Sequence, residues 1–450
     1  MKTNKNHICR QADQNTENKL EMGFFPRGLF LFAQFAIMAK QIEEKPTCRQ
    51  ARQSKQKKLR MKTLSILSVI IILFSSGIKT QAQDAQETKT RSFQISFITP
   101  LGTNGLDAPN ITNKFSLNIL AGYNGGLDGF EFSGFGSILK TNMKGVQLSS
   151  FGNIVLGTSN GFQGAGFFNY SQQYFNGVQI AGFSNIINSE AKGWQFSGFT
   201  NITTKELDGG QFASFGNYSK GNTKGQASGF VNINKGDLSG FQIAGFSNIN
   251  TEKTEGTQIA GFFNYTEKLK GIQIAPFNYV DSLEKGTPIG IFSIVKNGYK
   301  SFEISSNETL YGVVSYKTGT KKFYNIISVG ASYKNDMVLW GWGYGIGTMA
   351  DLKNDWDLAI ELISYQINQD AWFTETLNQN NKLQLTTSKK VSENLNVFGG
   401  ISWNVNVSET IDNNGNDFKS SISPWNIFDK TYGNDTNVKM YPGFTIGVRF

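Results

Sequence analysis

Several groups of residues in this 450-residue sequence are of types that could do chemistry. Asp412-Asn413-Asn414-Gly415-Asn416-Asp417 puts oxygen ligands around a glycine turn, as a hard cation such as calcium requires. It lacks a closing bidentate glutamate and stands in a long polar stretch, so an ordinary exposed loop is the expectation. Asp357, Glu361, Lys317, Lys334 and Arg449 are charges within alternating segments, where they would line a barrel lumen or form a solvated face. The glycines of Gly341 to Gly347 suggest a phosphate cradle at first sight, yet they alternate strictly with tryptophan and tyrosine and precede no helix or lysine, which reads as strand. Regularly spaced glutamines and asparagines could hydrogen-bond a polymer such as a glycan. A structural role is favoured for them, because an unpaired buried amide costs about 1 to 3 kcal/mol. A hydrolase using paired carboxylates would need two acids in a pocket, and no such pair is recognisable. No catalytic, cofactor-binding or metal-binding residue is therefore assigned, and the expectation is a protein without enzymatic activity or cofactor.

The N-terminal portion supports that exclusion. Residues 1–60 are basic and glutamine-rich and show no strand alternation, and they are expected to be an upstream extension. Residues 61–82 have the organisation of a secretory signal peptide: Met61-Lys62 as a charged start, an apolar core from Leu64 to Phe74, and small residues in Thr80-Gln81-Ala82. The apolar run is too short for a helical span, which needs about 20 residues. Cleavage near Gln83 would remove His7, Cys9 and Cys48, the sequence's only histidine and both its cysteines. That excludes Cys/His zinc sites, thiol nucleophiles, Ser-His-Asp triads and histidine-ligated haem from the exported chain. It would also correct the charge. Residues 1–83 hold 15 of the 43 basic and 5 of the 34 acidic residues, which leaves a net charge near −1 for the rest, so nucleic acid is not an expected partner.

Between residues 128 and 295 one unit repeats, as in Gly177-Val178-Gln179-Ile180-Ala181-Gly182-Phe183-Ser184-Asn185-Ile186. Its phenylalanines are Phe135, Phe151, Phe167, Phe183, Phe199, Phe215, Phe230, Phe246, Phe262 and Phe277, at spacings of 16 or, twice, 15 residues. Glutamine stands four residues before most of them, with Glu131 in the first copy, and asparagine commonly two residues after. Period-two alternation makes each copy a strand of about nine residues. On that basis Gln179, Ala181, Phe183 and Asn185 share one face, and Val178, Ile180, Gly182, Ser184 and Ile186 the other.

An antiparallel meander and a parallel solenoid can both use such a strand. The residues eight after each phenylalanine, or seven in a shortened copy, are Met143, Ser159, Phe175, Ala191, Leu207, Thr223, Leu238, Thr254 and Leu269, large alternating with small or polar. Alternation between successive turns is what a meander predicts, because its turns lie at opposite ends of the sheet. The expected fold is therefore all-β: an outer-membrane β-barrel with an antiparallel sixteen-residue-repeat meander. The alternative is a parallel β-solenoid inserted in a smaller barrel.

Both flanks, 84–127 and 300–450, carry amphipathic strands expected in a barrel wall. Trp340, Trp342, Tyr344 and Ile346 oppose glycines, and Phe444, Ile446, Val448 and the terminal Phe450 form one face of the last strand. An aromatic at the lipid-facing phase of the final residue resembles the C-terminal strand of bacterial outer-membrane barrels. The Gly-x-Gln-x-Ala-Gly-Phe-x-Asn units between Gly129 and Tyr279, with Phe323-Tyr324-Asn325 downstream, resemble the surface-repeat proteins of Bacteroidetes and spirochaetes. That resemblance implies surface exposure and supplies no catalytic residue. The function expected is an integral outer-membrane surface-repeat protein with a structural, pore or surface-binding role; the alternative is a soluble or surface-attached repeat adhesin. The partners expected are outer-membrane lipid, the barrel-insertion machinery during assembly, and a surface ligand of unspecified chemistry.

Overall fold

A computed structural model describes residues 89–450 except 335, 413, 414, 424 and 434. The upstream extension and the signal peptide lie outside the described residues. What is described is all-β apart from one 3-10 turn, Gly105–Asn110.

Each repeat makes one coil of a parallel solenoid, not one strand of a meander. Phe175–Ala181 pairs in parallel with Ser159–Ala165 on one side and Ala191–Ser197 on the other, and like residues align: Gly177 with Gly193, Gln179 with Gln195. A second short strand, Ser184–Ile187, stacks likewise on Phe168–Ser171 and Thr200–Thr203. A copy is thus two strands with a corner at Gly182-Phe183, and the corner reverses the alternation. Asn185 and Gln179 are fully buried, while Phe183 points outward at 41% exposure. The single nine-residue strand would have put all three on one face.

The size alternation that favoured a meander has a different cause. Met143, Ser159, Phe175, Ala191, Leu207, Thr223, Leu238, Thr254 and Leu269 form one buried column inside the coils. Coils stack about 4.8 Å apart. At that spacing a large side chain fills the volume left by small neighbours directly above and below, as Phe175 does between Ser159 and Ala191, giving the cluster of Phe175, Ile187, Ala191 and Leu207. The same spacing explains the repeat's first glycine. Gly193 has φ +122°, and a Cβ there would sit 1.9 Å from the Gly177 carbonyl oxygen.

The segments expected as N-terminal barrel strands belong to this stack as well. Lys89–Ile98 pairs in parallel with Ile111–Asn124, which pairs in parallel with Gly126–Ser133 and Gly136–Leu139.

The C-terminal part is antiparallel, as expected. Tyr299–Asn307, Gly312–Thr320, Phe323–Lys334, Met337–Asp351, Trp356–Gln369, Asn378–Ser392, Leu395–Glu409 and Thr436–Arg449 pair in succession. The last then pairs back to the first, from Glu303 opposite Arg449 to Asn307 opposite Thr445, so the ladders form a cycle. Phe428–Tyr432 adds a short ninth strand beside Thr436–Met440.

The solenoid's last strand, Phe292–Val295, ends against the outside of this closed sheet. Its free edge is hydrogen-bonded by side chains of the wall: Asn325 Oδ1 accepts from the Ser293 N–H (3.0 Å), Asn325 Nδ2 donates to the Gly290 carbonyl (2.7 Å), Tyr344 Oη donates to the Ile291 carbonyl (3.0 Å), and Thr318 Oγ1 donates to the Ser293 carbonyl (3.3 Å). An otherwise open sheet edge is thereby satisfied.

Candidate functional site

Amides are buried in both parts of the molecule, beside an apolar column in the solenoid and beside charges in the closed sheet, and large apolar side chains also stand outside both. In the solenoid the glutamines form one continuous chain of bonds. Each Nε2 donates to the Oε1 of the preceding coil, from Gln273 back to Gln147 at 2.7 to 3.0 Å. The chain ends on Glu131, whose carboxylate accepts from Gln147, Asn118, Asn124 and Ser137. A carboxylate is an acceptor-only terminus, which is why glutamate suits the first copy. The asparagines run the opposite way: Asn185 Nδ2 donates forward to Asn201 Oδ1 (2.9 Å) and to the Phe196 carbonyl (2.7 Å). Pro288 and Ser293 end both ladders in the last coil. The columns that could have met a glycan are fully buried and bonded to one another.

Outside, the corner phenylalanines stack from Phe135 to Phe262, mostly near-parallel, and Phe277 and Phe292, which align with Phe263 one position past the corner, continue the row, with ring centroids 4.7 to 5.7 Å apart throughout. Ile180, Phe196, Ile243 and Ile259 extend the apolar surface beside them. A small residue interrupts it at Ala227, leaving a shallow groove lined by Phe196, Phe212 and Ile243. The opposite edge of the solenoid is charged. Lys144–Asp128, Lys224–Asp208 and Lys270–Glu255 pair between adjacent coils there, all well exposed. The Lys224 ammonium holds the Asp208 carboxyl below its ordinary value, and Lys270 does the same for Glu255. Farther along, Tyr265 donates to Asp281 (2.8 Å), which pushes its phenol up to about 12.

Inside the closed sheet, three of the five charges singled out by sequence come together. Lys317 bonds Glu361 and lies 2.8 Å from Glu303, and Glu303 also pairs with Arg449; all four are buried. Glu361 further accepts from Tyr324 Oη (2.6 Å) and Gln384 Nε2 (2.6 Å). A second group joins Lys382 to Glu308, which accepts from Asn404 as well. Glu303 and Lys382 were legible as inward-phase residues of alternating strands but were not singled out, and Glu308 lies in the bend after Tyr299–Asn307, where parity gives no direction. Asp357 stands apart near Lys321, and Lys334 is half-buried near a hairpin. The glycines of Gly341 to Gly347 face inward and make room for this interior: a Cβ on Gly347 would lie 2.5 Å from the Tyr324 ring. At the candidate cation loop, the Asp412 carboxylate accepts from the Asn416 N–H (2.8 Å) and Nδ2 (3.2 Å), closing a turn on itself. Among the described residues, no group of three or more acidic, histidine or cysteine side chains is placed to hold a metal.

Chemically, such an interior can hold strands in register. These features define an all-β repeat protein, a parallel solenoid joined to a closed antiparallel sheet. No protein family, curated protein or solved structure matches the chain.

Proposed function

We propose that the chain is a non-enzymatic integral outer-membrane protein, in which the closed sheet is a membrane-spanning barrel that anchors the solenoid at the cell surface. The observation that carries this is the distribution of polarity around the closed sheet. Ile360, Leu362, Ile401, Phe444 and Ile446 project outward at about half exposure or more, while Lys317, Glu361, Glu303 and Arg449 project inward. In water that arrangement would expose a continuous apolar belt and bury a charge cluster, both unfavourable. In a bilayer the belt meets hydrocarbon, and cyclic pairing leaves no open backbone edge there.

Outward aromatics near one end, Tyr333, Trp340 and Trp372, suit a headgroup region. An eight-strand barrel has an interior just wide enough to be filled by side chains. With two ion-paired groups across it, this one acts as an anchor and not as a solute channel. The signal peptide read from residues 61–82 is consistent with export. Lipid is then the principal partner, and nucleic acid has no part.

The test is membrane fractionation with gel mobility of unheated and boiled protein. Recovery in the outer membrane only after detergent, with a heat-dependent mobility shift, supports the proposal. Release by urea and a soluble monomer in surfactant-free buffer would refute it in favour of a surface-attached repeat protein.

A further inference from the structure

The solenoid leaves the barrel sideways. Thr318, Asn325 and Tyr344 lie on the outward phase of their strands, and it is these side chains that bind the edge of Phe292–Val295. The stack of coils therefore extends from the wall and not from the barrel's mouth, so a spanning barrel would carry the solenoid along the membrane plane.

Its rotation about that direction is also determined. Ile291, exposed at the corner position of the last coil, and Phe292 beside it both meet Tyr344, whose hydroxyl donates to the Ile291 carbonyl and whose ring centroid lies 6.3 Å from that of Phe292. Tyr344 aligns with Ile327 and through it with Tyr316, both outward and exposed. The chain leaves the other edge of the coil at Gly298 and enters the barrel at Tyr299, opposite Gly319. From Gly319 to Tyr316 is three residues, about 10 Å along the strand and roughly 7 Å in depth at a tilt near 45°. Lys321, in the hairpin beyond Gly319, pairs with Asp351 at the end of Met337–Asp351, both well exposed, so the Gly298 side is the aqueous side. The phenylalanine edge lies toward the middle of the barrel wall, continuous with its apolar belt, and the edge bearing Lys224–Asp208 and Lys270–Glu255 lies toward water.

We propose that the phenylalanine edge is a lipid-contact surface, dipping into the leaflet beside the barrel along the length of the solenoid while the charged edge stays in water. From Phe135 to Phe292 the ridge is about 50 Å long at the spacing of stacked strands. The inferred depth matches the roughly 5 to 10 Å reached by amphipathic elements at an interface. This rests on the barrel reading, and the experiment separates the two.

The full-length chain with Cys9→Ser and Cys48→Ser receives one cysteine at a time: Phe215→Cys on the apolar edge, Lys220→Cys on the charged edge, or Ile401→Cys on the barrel wall. Each is labelled with bimane and reconstituted in phosphatidylcholine vesicles with brominated or ordinary acyl chains. Gel mobility confirms folding, and Phe183→Cys replaces Phe215→Cys if that variant fails. Fluorescence loss in brominated lipid at Phe215 comparable with that at Ile401, and none at Lys220, is the expected result. Loss at Ile401 alone overturns the lipid contact and leaves the barrel standing. A Phe215 label shielded from both brominated lipid and aqueous iodide would mean that a second copy or another protein covers the edge, which also overturns it. No loss at Ile401 removes the barrel and the inference together.

Discussion

Replacing Gln195 by leucine removes one rung from the glutamine ladder without emptying its volume, and the consequences can be counted. Gln195 Nε2 donates to Gln179 Oε1 at 3.0 Å, and Gln195 Oε1 accepts from Thr203 Oγ1 at 2.9 Å and from Gln211 Nε2 at 2.8 Å. Gln211 keeps two acceptors, Thr203 Oγ1 and the Tyr218 carbonyl. The buried groups left without partners are therefore the Gln179 carbonyl oxygen and the Thr203 hydroxyl proton. At about 1 to 3 kcal/mol each the loss is roughly 2 to 6 kcal/mol, reduced by about 1.5 kcal/mol for the buried leucine. A solenoid opens coil by coil, so the effect belongs to the coils around residues 191–219. Hydrogen exchange in the detergent-folded chain should quicken there by about 2-fold to more than about 1,000-fold at about 1.4 kcal/mol per tenfold. The double variant Gln179→Leu with Gln195→Leu should cost less than the sum of its parts, because the orphaned Gln179 oxygen is gone. No acceleration of exchange in residues 191–219, or equal acceleration in Trp356–Gln369, would refute the view that bonding between coils holds the ladder together.

Gly193→Ala, at positive φ and in the path of the Gly177 carbonyl, should prevent regular stacking and open this region to protease, whereas Gly164→Ala, which meets only the movable Leu148 and Phe162 side chains, should be mild. Glu361→Gln removes a buried charge shared by Lys317, Tyr324 and Gln384; a loss of about 3 to 5 kcal/mol should lower the temperature at which the folded gel band disappears. The Asp208 and Glu255 carboxyls are held below their unfolded values of 3.8 and 4.5, so their contribution is complete above those values and is lost as pH falls through the lower folded ones. The melting temperature of the solenoid should therefore fall more between pH 5 and acid conditions at about 0.1 M salt than at about 1 M, where these exposed pairs are screened.

Much of this architecture was legible from period-two alternation, because inward and outward phases follow from parity alone wherever a strand is straight. That holds along Trp356–Gln369, where Glu361 faces in and Ile360 and Leu362 face out. It fails at Phe183, since a corner shifts parity and nothing in Gly182-Phe183-Ser184 separates a corner from a continuing strand. Stacking direction was not legible either. Gln opposite Gln in parallel register and Gln opposite Asn in antiparallel register both pair amide with amide, and the alternation from Met143 to Leu269 fits a packed column as well as two kinds of turn. Asn325 was noticed only as part of a degenerate repeat copy. Its role on the outer wall depends on a contact between residues 32 positions apart, Ser293 and Asn325, which no local pattern records.

On the proposed membrane reading, a surface placed at hydrocarbon depth must satisfy its backbone as well as present apolar side chains. The closed sheet does so by cyclic pairing. A solenoid does so between coils, which leaves only its two ends exposed. At the C-terminal end Asn325, Tyr344 and Thr318 supply the missing partners. At the N-terminal end the chain folds back: Leu101–Gly102 pairs antiparallel with the end of Lys89–Ile98, and the Thr103 N–H donates to the Ile95 carbonyl. The last phenylalanine, Phe292, is carried in the capped strand itself and meets Tyr344 from the same wall. One wall thus closes the solenoid's edge and sets the direction of its apolar ridge, so under the proposed lipid contact a substitution that frees the cap should also release the ridge from its depth.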